Sequence, residues 1–215
     1  MNTERIQLRP LTKADYPAAE NIIRQTWHYD DICKSSVTAR RLARLYLRGC
    51  LMGATYSCVA ELDGQILGLI LARSDHDKMN GKLRAGLSEA GAVIALLSGR
   101  EGRKVCKMFG GFSKIDDELL KSTGGNFDGE VCLFAVTEAA RGLGIGKMLF
   151  GAMKAYMYSQ HVKNIYLFTD TTCTYQFYEK RGLRRLAMRA VKLPEPIHFK
   201  LHMFVYGTEL AAISL

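Results

Sequence analysis

What this chain of 215 residues lacks narrows its class before what it contains does. Its six cysteines, at 33, 50, 58, 106, 132 and 173, include no C-x-x-C pair, and several sit inside apolar runs. That argues against a disulfide framework or a zinc site, so no metal is expected. Asp75-His76-Asp77 reads as a solvated loop rather than a ligand set. The longest apolar run, Ala90 to Leu97, is far below the roughly 20 residues that span a bilayer. Met1 to Arg5 is polar and leads into a strand pattern, with no visible signal peptide. The chain is therefore expected to be cytoplasmic, with no membrane partner. No internal repeat, low-complexity linker or aromatic-interleaved basic stripe occurs, so nucleic acid is not an expected partner.

What is present is a chain with 48% hydrophobic residues, 30 Lys/Arg against 21 Asp/Glu and a formal charge of +9. This length can bury a good core, and residues 1–215 are read as a single domain. Residues 129–215 hold eleven Lys/Arg and six Asp/Glu. A basic C-terminal half suits an acidic small-molecule ligand.

Hydrophobic periodicity divides the chain into elements. Ile6 to Pro10 alternates as a strand. Thr12 is placed to cap a helix on which Ala18, Ile22, Ile23 and Trp27 recur. After a polar link at 28–34, Ser36 or Thr38 is expected to cap a second helix carrying Leu42, Leu45, Tyr46 and Leu51. Tyr56 to Leu62 and Gln65 to Ala72 flank Asp63-Gly64, a hairpin turn. Residues 76–128 read as helical in two pieces, about 81–98 and 101–121, the second open to interruption at Gly110-Gly111. Strands follow at Glu130 to Val136 and Asn164 to Thr169, with a helix from Gly144 to His161 between them. Thr171 or Thr172 is expected to cap a helix that holds Tyr178. Arg184 to Val191 and Phe199 to Tyr206 read as a final hairpin, with Pro194 and Pro196 in its connection.

The densest signal is Arg141-Gly142-Leu143-Gly144-Ile145-Gly146-Lys147. A strand, a short turn and a helix opening on glycines make an anion site. The first helical turn has unpaired N–H groups and the positive end of the dipole. Glycines let a phosphate approach the backbone without meeting a Cβ. The spacing is G-x-G-x-G, not the G-x-G-x-x-G of a dinucleotide site. A P-loop fails too: Met148 stands where the Mg²⁺-binding hydroxyl belongs, and Arg141 where the first glycine is required.

Arg141-x-x-Gly144-x-Gly146 after a strand ending in Val136 resembles the acyl-CoA-binding motif of the GNAT superfamily of N-acetyltransferases. Phe177-Tyr178-Glu179-Lys180-Arg181-Gly182-Leu183 resembles that family's F-Y-x-x-x-G-F segment. Leu8 to Asp15 looks like its first strand and the start of its first helix. The three matches keep the family's order and cover most of the chain outside 76–128. The resemblance implies an α/β fold with a mixed sheet of about seven strands, flanking helices and a helical insertion at about 76–128, between strands 3 and 4.

The resemblance also implies a reaction, direct transfer of an acetyl group from acetyl-CoA to a primary amine on a small-molecule or peptide acceptor. Backbone N–H groups from Gly142 to Lys147, with Arg141, would hold the pyrophosphate. Main-chain groups of Phe134, Ala135 and Val136 would pair with the pantetheine arm. Tyr178 occupies the place of the tyrosine that protonates the departing sulfur. Glu130, six residues before Val136 and so expected on the same strand face, is the candidate general base. Thr171 stands where the family often has an asparagine against the cofactor arm. His28 and Tyr29 are acceptor-side candidates by position. The alternative is a non-catalytic acyl-CoA-binding module whose insertion docks a protein or nucleic-acid partner. A homodimer is also compatible with the resemblance.

Overall fold

The structure is a computed structural model that describes residues 5–77, 98–192 and 200–215. Nearly all of the expected helical piece at 81–98, and Pro194 and Pro196, lie outside those residues. One seven-stranded sheet runs through the molecule. Its strands are β1 (Gln7–Arg9), β2 (Tyr56–Leu62), β3 (Gln65–Ser74), β4 (Gly129–Val136), β5 (Asn164–Asp170), β6 (Arg184–Val191) and β7 (Leu201–Glu209). They lie in the order β1-β2-β3-β4-β5-β7-β6. Every neighbouring pair is antiparallel except β4 and β5. Asp63 and Gly64 both adopt positive φ, 50° and 81°, as a tight β2–β3 turn demands.

The described helices are α1 (Tyr16–Thr26), α2 (Tyr29–Ile32), α3 (Ser36–Gly53), α4 (Arg100–Ser122), α5 (Ile145–Ser159) and α6 (Gln176–Glu179). Thr12 opens a short 3-10 turn that leads into α1. The buried Asp15 carboxylate accepts from the Thr12 N–H at 2.7 Å and from its hydroxyl at 2.8 Å. Two caps differ from expectation. Ser35, not Ser36 or Thr38, caps α3 by accepting the Val37 N–H at 3.2 Å. Neither Thr171 nor Thr172 caps α6, which is a single turn starting after Tyr175. Thr172 instead donates its N–H to Asp170 at 2.7 Å and closes the turn after β5.

Gly110-Gly111 does not interrupt α4. Both glycines face open space, while Val105, Phe109, Phe112 and Leu119 on the other side pack against the rest of the molecule. Tertiary burial of that stripe outweighs the helix cost of about 1 kcal/mol per glycine.

The sheet has a core on each face. On one, Ile145, Leu149, Phe150, Met153 and Met157 of α5 pack on Ile70, Val131, Ile165 and Phe204. On the other, α1 and α3 cover Val59, Leu69, Leu71, Leu133 and Ala135. Toward β6 this second face is covered by α4, where Leu119 packs with Tyr166, Leu201, Met203 and Val205.

Candidate active site

The central strands part company beside the α5 N-terminus. β4 and β5 pair only from Gly129 to Val131, opposite Ile165 to Leu167. Beyond Val131 no strand faces β4 on that side among the described residues. The main-chain groups of Phe134, Ala135 and Val136 on that edge are therefore open to an extended ligand. A bulge marks the start of the opening, since Ala72 pairs with Val131 but Leu71 with Leu133, leaving Cys132 as the extra residue.

At the far end of β4 the chain passes through a 3-10 turn, Glu138–Ala140, into Arg141 and the glycines. Gly142 and Gly144 hold left-handed backbone, φ 82° and 79°. A Cβ at either would meet nothing within 4 Å, so backbone conformation, not crowding, requires glycine there. Gly146 is different, because a Cβ would come within 3.0 Å of the Phe177 ring. Ile145 is fully buried and Leu143 packs on the α5 core, anchoring the loop between the glycines. The side chains of Arg141 and Lys147 stand exposed beside the unpaired first-turn N–H groups of α5. The cradle is open, positive and lined by donors, and it fits a pyrophosphate.

Tyr178 is buried on the α5 side of the opening, its ring 6.3 Å from that of Phe134 and 6.1 Å from that of Tyr206. Burial raises its phenol well above the usual range, helped by the negative charge of Asp170, and so keeps it a proton donor. Thr171 is engaged elsewhere. Its hydroxyl accepts the His202 N–H at 3.2 Å and donates to the Lys200 carbonyl at 3.5 Å, joining the end of β5 to β7.

Glu130 and Val136 do not share a face, contrary to the even spacing between them. Val131, Phe134 and Val136 pack toward α5, whereas Cys132, Leu133 and Ala135 pack toward α1 and α3. The bulge at Cys132 reverses the alternation, and Glu130 lies on the α3 side. There its Oε2 meets the Arg73 guanidinium and the Tyr166 hydroxyl, each at 3.0 Å. His28 is left-handed and exposed, near Asp31 at 3.7 Å. Tyr29 points inward, 1% exposed, and its hydroxyl has no partner among the described residues.

On this side of the sheet, sequence reasoning passed over further side chains that lie close enough to act on one another electrostatically. Tyr46 and Cys50 come from α3, Asp116 from α4 and Asp170 from the end of β5. Burial raises all the nearby thiols, Cys50 to about 12, Cys173 to about 11 and Cys132 well above the ordinary value. They are neutral walls, not nucleophiles. Tyr29 meets Phe109 of α4 edge-on at 5.5 Å, which ties α2 to α4.

The α5 N-terminus with its two left-handed glycines thus opens beside a gap between two parallel strands. The chain belongs to the Acetyltransferase (GNAT) family, whose profile matches residues 19–183. Solved structures share the fold. A GCN5-related N-acetyltransferase from Kribbella flavida aligns over 96% of this chain and 98% of its own, with TM-score 0.55 and 18% identity. The ribosomal-protein-S18-alanine N-acetyltransferase from Escherichia coli aligns over 95% and 94%, with TM-score 0.54 and 11% identity. An N-acetyltransferase from Staphylococcus aureus Mu50 aligns over 95% and 98%, with TM-score 0.52 and 13% identity. No curated protein sequence matches the chain. No described helix is long and apolar enough to cross a membrane.

Proposed function

We propose that this chain transfers the acetyl group of acetyl-CoA directly to a primary amine. The observation that carries the reading is the meeting of three features at the Phe134–Val136 end of β4: the open glycine cradle, the unpaired strand edge, and Tyr178, whose ring lies 6.3 Å from that of Phe134. Backbone N–H groups of Gly142 to Lys147 and the Arg141 guanidinium hold the pyrophosphate. The β4 edge at Phe134, Ala135 and Val136 pairs with the amides of the arm and sets the thioester at the bulge. A main-chain N–H there polarises the carbonyl. Tyr178, kept protonated, donates to the departing sulfur.

The acceptor enters from the opposite face, between α2, α3 and α4. Glu130, ion-paired with Arg73, is a fixed negative wall of that chamber. The test is acetyl-CoA-dependent thiol release over a panel of alkylamines, amino acids, aminoglycosides and peptides, with CoA binding measured in parallel. Turnover on an amine supports the reading. Tight CoA binding with no turnover on any amine overturns it in favour of a binding module.

A further inference from the structure

The inward stripe of α4 is Val105, Phe109, Phe112, Asp116 and Leu119, spaced four, three, four and three residues apart. Val105 and Phe109 pack on the α1–α3 core, and Phe112 and Leu119 pack with the residues under α4. One position in this apolar stripe is a carboxylate. The Asp116 Oδ1 is buried with no hydrogen-bond partner among the described residues, and so is the Tyr29 hydroxyl beneath the same helix. The side chain as a whole is half-buried, and an unpaired buried carboxylate oxygen is costly enough to call for a ligand, an ion or a water against it.

The neighbours fix the ligand's charge. Asp117, Asp170 and Glu130 are the charged groups that act on Asp116. Among the described residues, Arg73 is paired with Glu130 and Asp75, and Arg189 of β6 with Glu118. The other titratable groups facing the chamber are Tyr29, Tyr46, Cys50, Cys132, Tyr166 and Cys173. From β7 the side chains under α4 are the apolar Met203 and Val205. A complement to these groups is a cationic hydrogen-bond donor with an apolar tail that can lie against Phe112, Met203 and Val205.

We infer that Asp116 is the acceptor-binding carboxylate: it receives the ammonium head of an aliphatic primary amine that enters beneath α4, and takes one proton from it. This rests on the acetyl-transfer reading above. The step converts R–NH₃⁺ and the carboxylate to R–NH₂ and the carboxylic acid, leaving the nitrogen lone pair free to attack the thioester. Burial first, then the surrounding acids, push Asp116 up to about 7, where a carboxylate both accepts and releases a proton near neutral pH. With its folded value raised, the folded chain binds the extra proton between about pH 4 and 7. Stability from this group is therefore present at low pH and lost as pH rises through about 7.

The test compares wild type, Asp116→Asn and Asp116→Leu. Calorimetry measures binding of n-butylamine and 1,4-diaminobutane to the CoA-loaded protein, and turnover is followed from pH 5.5 to 9. A lysine-containing peptide serves as a third acceptor, to separate a free alkylamine from a protein side chain carrying the same head group. The expected result is alkylamine binding weakened about tenfold or more in both variants, loss of the acidic limb of the kcat/KM profile, unchanged CoA affinity and an unchanged or higher Tm. Variants that bind alkylamine as wild type does and keep the pH profile overturn the assignment. Wild type that acetylates only other kinds of amine overturns the alkylammonium class but leaves acetyl transfer standing. Wild type that binds butylamine through Asp116 but transfers nothing supports this site while overturning the transferase reading. Wild type that binds and acetylates no alkylamine overturns the site.

Discussion

The two ends of the cleft are built on opposite plans. The cradle is made of consecutive residues, Arg141 to Lys147, and works through backbone whose shape two left-handed glycines set. The proposed acceptor side draws on side chains from five separate elements, with Asp116, its Oδ1 buried, on the inserted α4. A contiguous backbone site tolerates wide variation around it, since its function lies in N–H groups every residue carries. A chamber assembled from distant side chains changes with any one of them. The cofactor end can stay constant while the acceptor end is rebuilt.

Substitutions on the two sides should separate accordingly. The largest expected effect is at Tyr178, which bridges them. Tyr178→Phe is expected to lower kcat about 100-fold, within the range for loss of a positioned acid, with CoA affinity unchanged by calorimetry. An unchanged kcat removes Tyr178 from the reaction. On the cradle side, Gly144→Val forces a branched residue to φ 79° and costs about 1–2 kcal/mol of backbone strain. CoA affinity should fall about tenfold, with the amine KM little altered. Equal loss of amine and CoA binding would show that the two ends are not separable.

Glu130→Gln is the contrast to Asp116. If Glu130 is a fixed negative wall paired with Arg73, the variant raises the amine KM several-fold and keeps the acidic limb of the pH–rate profile, moved to slightly lower pH because Glu130 no longer raises Asp116. A vanished acidic limb would return the base role to Glu130.

Away from the cleft, Asp15 is held by Arg9 at 2.7 and 2.8 Å and by Thr12. These contacts lower its carboxyl well below the usual range. Its contribution is therefore complete above about pH 4 and is lost as pH falls below that. Asp15→Asn is expected to cost about 1–3 kcal/mol at neutral pH, read as a lower Tm, and the difference from wild type should shrink in acid. The smallest effect is expected at Gly110, in the exposed side of α4. Gly110→Ala should stabilise by up to about 1 kcal/mol without touching activity.

How much of this was legible in the sequence follows from the same contrast. The glycine turn that opens α5 could be read because it lies in a short contiguous motif. The β2–β3 hairpin was legible because only a few dipeptides adopt its turn. The Glu130 face was misread because counting by twos presumes an unbroken strand, and a bulge at Cys132 has no residue-level mark. The α3 cap was missed by one residue because Ser35 and Ser36 are equally good caps in isolation. Asp116 was missed for a more instructive reason. Reading Gly110-Gly111 as an interruption broke the helical phase between Phe109 and Phe112. Carried through the glycines, the stripe from Val105 to Leu119 shows its one carboxylate at once.

The most direct test follows the acetyl group itself. Wild-type protein is incubated with acetyl-CoA and n-butylamine, and both products are quantified by mass spectrometry. Direct transfer predicts one N-acetylbutylamine for each CoA thiol released. Thiol release without acetylated amine, or CoA binding with neither product, would contradict the account.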